Sequence, residues 1–91
     1  MRKVTAQIKS AFENHTSKTV GASSTNGETV SLHGNAIVKR TGGKVYASLA
    51  GWNTPTTRER INGITGAGLH QKNYEAMRNG EPIDVFAWFE V

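Results

Sequence analysis

Asn26-Gly27-Glu28-Thr29-Val30-Ser31-Leu32-His33-Gly34-Asn35-Ala36-Ile37-Val38-Lys39-Arg40-Thr41-Gly42-Gly43 is punctuated by three glycine-containing dipeptides at a constant spacing of eight residues. Asn26-Gly27, Gly34-Asn35 and Gly42-Gly43 supply the positive φ that tight primed turns require. Between them lie Glu28 to His33 and Ala36 to Thr41, rich in Val, Ile and Thr, so the stretch reads as a β-meander. Extending the rhythm outward predicts strands at roughly 19–25, 28–33, 36–41 and 44–50. With two-residue turns throughout, Leu32 faces Ile37 and Thr41 faces Lys44. That register puts Val20, Ala22, Ala36, Val38, Val45, Ala47 and Leu49 on one face, but Val30, Leu32, Ile37 and Tyr46 on the other. Two resolutions are open: a bulge that changes the register, or a second face covered by a helix or another subunit.

Upstream, Val4, Ile8, Ala11 and Phe12 fall at i, i+4, i+7 and i+8, the stripe of an amphipathic helix over about residues 3–13. Downstream, Gly51-Trp52-Asn53-Thr54-Pro55 ends the meander. Thr54 reads as an N-cap with Pro55 at the first helical position, where a missing N–H costs nothing. Thr56 and Glu59 offer a second capping register, and Gly63 is expected to stop this short helix after about two turns. Residues 68–78 and 82–91, separated by Asn79-Gly80, read as a closing hairpin whose last strand alternates Ile83, Val85, Ala87, Phe89 and Val91 against Asp84, Phe86, Trp88 and Glu90. The expected fold is α+β: N-terminal helix, four-strand antiparallel meander, short helix and C-terminal β-hairpin.

The 91 residues accommodate one domain, 1–91, large enough for a core without staples. No cysteine is present, which removes disulfides and thiolate chemistry and suits a reducing compartment. No apolar leader or spanning run is visible, so no membrane partner is expected. Three histidines lie far apart without carboxylates at ligand spacing, so neither a metal nor another cofactor is expected. Gly63-Ile64-Thr65-Gly66-Ala67-Gly68 lacks the strand and the Lys-Ser/Thr of a phosphate loop, and no nucleophile constellation exists. The reading is non-enzymatic.

The formal net charge of +4 suits a polyanion partner, DNA or RNA. The densest candidate is Trp52 to Gly63. Thr56 and Thr57 add hydroxyls to a helix N-terminus while Arg58 and Arg60 add guanidinium forks, a set matched to phosphate. Ordinary capping and a wet helix face account for the same residues. Lys39, Arg40 and Lys44 around Gly42-Gly43 form a basic hairpin tip that follows a phosphate backbone or merely protects a sheet edge. Trp52, Phe86 and Trp88 are the candidates for a protein interface, with a homodimer or a host protein as occupant.

Val4-Thr5 with Ala11-Phe12, Leu32-His33-Gly34-Asn35-Ala36-Ile37, and Ala50-Gly51-Trp52-Asn53-Thr54 running into Thr56-Thr57-Arg58-Glu59-Arg60-Ile61-Asn62-Gly63 resemble small accessory proteins common in bacteriophage and prophage genomes. The resemblance spans nearly the whole chain, through Asn73-Tyr74 and Asn79-Gly80. It implies a phage-encoded protein working in the cytoplasm of a bacterial host and carries over no functional residues. The leading expectation is therefore a phage accessory protein binding nucleic acid through a basic surface. The alternative is a protein-binding inhibitor of a host or defence factor, of the anti-CRISPR kind.

Overall fold

A computed structural model describes residues 1–91. Helix α1 spans Lys3–Glu13 and buries Thr5, Ile8, Ala11 and Phe12, the expected stripe with Thr5 added and Val4 half-buried. The meander follows as β1 (Lys18–Val20), β2 (Ser23–Thr25), β3 (Thr29–Leu32), β4 (Asn35–Thr41) and β5 (Lys44–Ala47). Helix α2 covers Pro55–Thr65, and four short strands follow: β6 (Leu69–Lys72), β7 (Glu75–Arg78), β8 (Glu81–Pro82) and β9 (Phe89–Glu90). The fold is α+β, with an antiparallel sheet in the order β1-β2-β3-β4-β5-β9 and a small sheet β6-β7-β8.

The register conflict is resolved by a bulge. Val30 pairs with Val38 and Ser31 with Ala36, so Ile37 is the extra residue on β4. A bulge turns two successive side chains to one side of the sheet. Ile37 and Val38 are both buried, beside Val30, Leu32 and Ala47, and the core closes on them from Ile8 and Phe12 of α1 and Ile61 and Ile64 of α2. The turn before β4 also sits one residue earlier than expected: His33 and Gly34 take φ of 52° and 79°, and Leu32 pairs with Asn35 rather than Ile37. Thr41 pairs with Lys44 as read. The opposite sheet face carries Thr29, Ser31, Ala36, Lys39 and Tyr46, all half-exposed.

Three boundaries depart from expectation. The first strand is split by a turn at Gly21-Ala22, so β1 and β2 form their own tight hairpin with Val20 opposite Ser23. Helix α2 does not stop at Gly63 but runs to Thr65, where Gly66 in the left-handed region (φ 72°) caps it. The C-terminal hairpin is broken up: β6 and β7 pair about Asn73-Tyr74, Asn79-Gly80 connects β7 to a two-residue β8, and β9 crosses to the edge of β5. The Ile83 N–H still bonds the Ala76 carbonyl at 3.0 Å beyond Pro82, and Asp84 then turns the chain by accepting from the Phe86 N–H at 2.8 Å.

Candidate functional site

Thr54 caps α2, its hydroxyl accepting from the Thr57 N–H at 3.2 Å, while the Arg58 N–H bonds the Thr54 carbonyl at 3.0 Å. Pro55 has no N–H. The helix start therefore offers little unpaired donor capacity to an anion. Thr57 is buried and its hydroxyl lies 2.8 Å from that of Thr54. Arg58 is turned back onto its own chain, donating to the Asn53 side chain at 2.5 Å and to Gln71 at 3.2 Å.

Arg60 is not a surface residue at all, which corrects its expected place in a basic patch. It falls on the buried stripe of α2 with Thr57, Ile61 and Ile64, at 7% exposure. Its Nε donates to Ser23 Oγ at 3.0 Å, its Nη1 donates to Thr5 Oγ1 at 3.0 Å, and the same Nη1 pairs with Glu59. Thr5 passes the interaction on, donating to Glu59 Oε1 and Oε2 at 2.7 and 2.8 Å. Every buried polar side-chain atom of this network has a partner.

Burial pushes the Glu59 carboxyl upward, but the Thr5 hydroxyl, Arg60 and the Arg2 backbone N–H together outweigh it and hold the group below its ordinary 4.5. A carboxyl depressed in the folded state stabilises above its unfolded pKa and loses that contribution as pH falls through the folded value. Wild-type urea midpoints are accordingly expected to drop as pH falls below 4.5, and Glu59→Gln to flatten that drop while lowering stability at neutral pH.

The basic hairpin tip is also largely engaged. Arg40 lies over the Phe12 ring, 4.1 Å from its centroid, donates to the Phe12 carbonyl at 2.9 Å and pairs with Glu28 at 3.3 Å. Lys44 lies 3.7 Å from Glu90. Lys39 sits over Trp88 at 4.2 Å, a cation–π contact between a predicted cation and a predicted interface aromatic. Nor do the tip and the α2 start meet. Arg40 and Val45 gather with Ile64 and Thr65 at the far end of α2, whereas Thr56 and Thr57 gather with Leu32 and Asn35. The helix between them is 11 residues, ~16 Å, long.

The aromatics are exposed by contrast. Trp52 is 56%, Phe86 74%, Trp88 38% and Tyr74 92% exposed. Phe86 rests on Gly51, where an added Cβ would come within 2.6 Å of its ring, so the loop carrying Trp52 and the segment carrying Phe86 adjoin. Trp52 also walls a cleft of about 340 Å³ over Leu32 and Ile37, rimmed by His33, Asn35 and Thr56. Sequence reasoning missed this cleft because the bulge and the early turn that shape it are tertiary features. Sequence alone leaves Tyr74, with Tyr46, Trp52 and Trp88, able to stack on bases or to fill the core, and nothing in it signals the turn at Asn73-Tyr74 that exposes Tyr74. No group of three or more His, Cys, Asp or Glu is placed to hold a metal ion, and no helix is long and apolar enough to cross a membrane.

The fold and surface define a small helix-backed antiparallel-sheet domain with exposed aromatics and locally engaged arginines. Over residues 1–90 the chain matches the family model described as Kyanoviridae Gp96 protein, and it belongs to that family of small phage proteins. No curated protein and no solved structure matches it. The resemblance to phage accessory proteins is thereby confirmed at the level of family.

Proposed function

We propose that this phage accessory protein acts without catalysis in the cytoplasm of its bacterial host, docking on a host or defence protein through Phe86 and Trp88 and occluding the surface it covers. The exposure of these aromatics, against the local engagement of Arg40, Lys44, Arg58 and Arg60, supports this reading over a basic phosphate track. Large aromatics left in water are what interface hot spots are made of. Ile83, Val85 and Phe89 pack on the core, so Phe86 and Trp88 are not needed there. A net charge of +4 favours an acidic partner surface.

A second reading has its own support: Lys39 over Trp88, with Tyr46 directly across from Lys39, forms a cation-aromatic group on the sheet face opposite the helices, suited to stacking bases of single-stranded DNA or RNA. One comparison separates the two. Immobilised wild type and Arg58→Glu are expected to retain the same protein from host lysate, and Phe86→Ser with Trp88→Ser to lose it, with at least ~30-fold weaker affinity for the purified partner. Fluorescence anisotropy with labelled single-stranded and duplex oligonucleotides is expected to show no tight binding. Tight binding that falls steeply with salt and is lost in Trp88→Ser would replace the protein reading with the nucleic-acid one.

A further inference from the structure

The Trp52 cleft and the β6–β7 hairpin are not used by that reading. The cleft has an apolar floor of Leu32 and Ile37, an indole wall, and no lysine, arginine or carboxylate in its lining. A cation seated there would be desolvated with no carboxylate to meet it, and an anion would meet only the exposed His33 at the rim, so a neutral occupant fits the apolar floor best. Thr54 and Thr57 satisfy each other, which leaves the His33 imidazole, the Asn35 amide and the Thr56 hydroxyl for an incoming polar atom. A phenol meets these conditions, with a ring to lie against Trp52 and a hydroxyl that both donates and accepts.

The chain carries such a group with nothing of its own to bury it. Tyr74 stands at the tip of the β6–β7 hairpin, and residues 70–75 are exposed in succession, so the hairpin projects as an arm. Tyr74 has φ of 64°, the left-handed conformation that favours Asn or Gly in such a turn and is uncommon for a bulky aromatic. Exposure and strain together mark a residue whose presence folding does not explain. The arm is tied beside the cleft by the bond from Asn53 to Gln71 at 3.2 Å. Tyr74 lies three residues beyond, within ~10 Å, so knob and cleft belong to one end of the molecule.

We propose that a second copy of this chain seats its Tyr74 in the Trp52 cleft, and receives the first copy's Tyr74 in return, giving a two-fold homodimer. Proximity of knob and cleft on one protomer is what lets a reciprocal exchange close rather than propagate. Two tyrosines bury only ~300–500 Å², well under a standard interface, so the association is concentration-dependent. It stands independently of the docking reading, because the residues tested spare Phe86 and Trp88.

Sedimentation equilibrium across ~10 μM to ~1 mM tests it. Wild type is expected to move from monomer to dimer mass. Tyr74→Gly, which suits the turn better than tyrosine and keeps the hairpin, is expected to weaken dimerisation at least ~10-fold without loss of thermal stability. Thr56→Trp, filling the cleft, should do the same; Trp52→Ala replaces it if that variant does not fold. Mixing Tyr74→Gly with Thr56→Trp restores one intact knob and one intact cleft, and a heterodimer weaker than wild type is expected. A wild type that stays monomeric to the highest concentration overturns the proposal, as does a dimer that survives Tyr74→Gly.

Discussion

Arg60→Ala is expected to cost about 3–5 kcal/mol of unfolding free energy, the largest loss from any single arginine in this chain. The guanidinium sits among Ser23, Thr5 and Glu59, and its removal strands the Ser23 hydroxyl, on a residue at 1% exposure, and leaves the Glu59 carboxylate without its ion-pair partner, held only by the Thr5 hydroxyl and the Arg2 N–H. A buried hydroxyl without a partner carries its full desolvation cost, the part-buried carboxylate loses its counter-charge, and the lost side chain leaves a cavity besides. For a domain of this size the loss corresponds to roughly 15–30 °C in Tm, close to outright unfolding. Arg58→Ala, two residues away, is expected to stay within about 1 kcal/mol, since its bond to Gln71 is exposed and its bond to Asn53 only part-buried, so water can replace it at both. Urea denaturation of the two variants decides the matter. Equal midpoints would mean that the Thr5–Glu59–Arg60–Ser23 network does not hold the helices to the sheet.

Gly63→Ala is expected to destabilise by about 1–2 kcal/mol, although alanine is the better helix former by about 1 kcal/mol. The sign is reversed by space. A Cβ on Gly63 would come within 2.4 Å of Thr5 Cγ2, and Thr5 is fully buried with its hydroxyl held by Glu59 and Arg60. The methyl cannot swing aside without breaking those bonds or separating α1 from α2. Thermal melts of Gly63→Ala and of the double variant with Thr5→Ser, which lacks the offending methyl, test this. The second substitution is expected to recover part of the loss, and a stabilised single variant would show that the helix contact yields freely.

The same residues show where the sequence was readable and where it was not. Helix α1 and the turn at Gly42-Gly43 follow directly from periodicity and turn chemistry, because local geometry decides them. Arg60 was legible in principle: Thr57, Arg60, Ile61 and Ile64 lie at i, i+3, i+4 and i+7, an inward stripe that charge alone concealed. Thr5 was legible likewise, three residues before Ile8 and seven before Phe12. The bulge was not. Its need could be inferred from the clash between faces, but locating it at Ile37 requires knowing that the turn begins at His33, and Gly34-Asn35 is as good a turn pair by composition. Gly63 was misread because a glycine ending a helix and a glycine admitting a neighbouring helix look identical in one dimension. The final strand failed for a related reason, since only Ile83, Val85 and Phe89 of the alternating set turn inward and Asp84 bends the chain before a continuous ladder forms.

The bulge at Ile37 also sets which insertions and deletions strand β4 tolerates. Removing one residue from an ordinary strand inverts every side chain beyond it. At the Ile37-Val38 pair, both already facing the core, one residue can be lost and the strand straightens into regular pairing with β3 while Ala36 and Lys39 keep their present faces. The cost is one buried aliphatic side chain rather than an inverted sheet. Chains one residue shorter here can therefore share this fold, and a gap between sequences at this point marks the loss of a bulge, not of a strand.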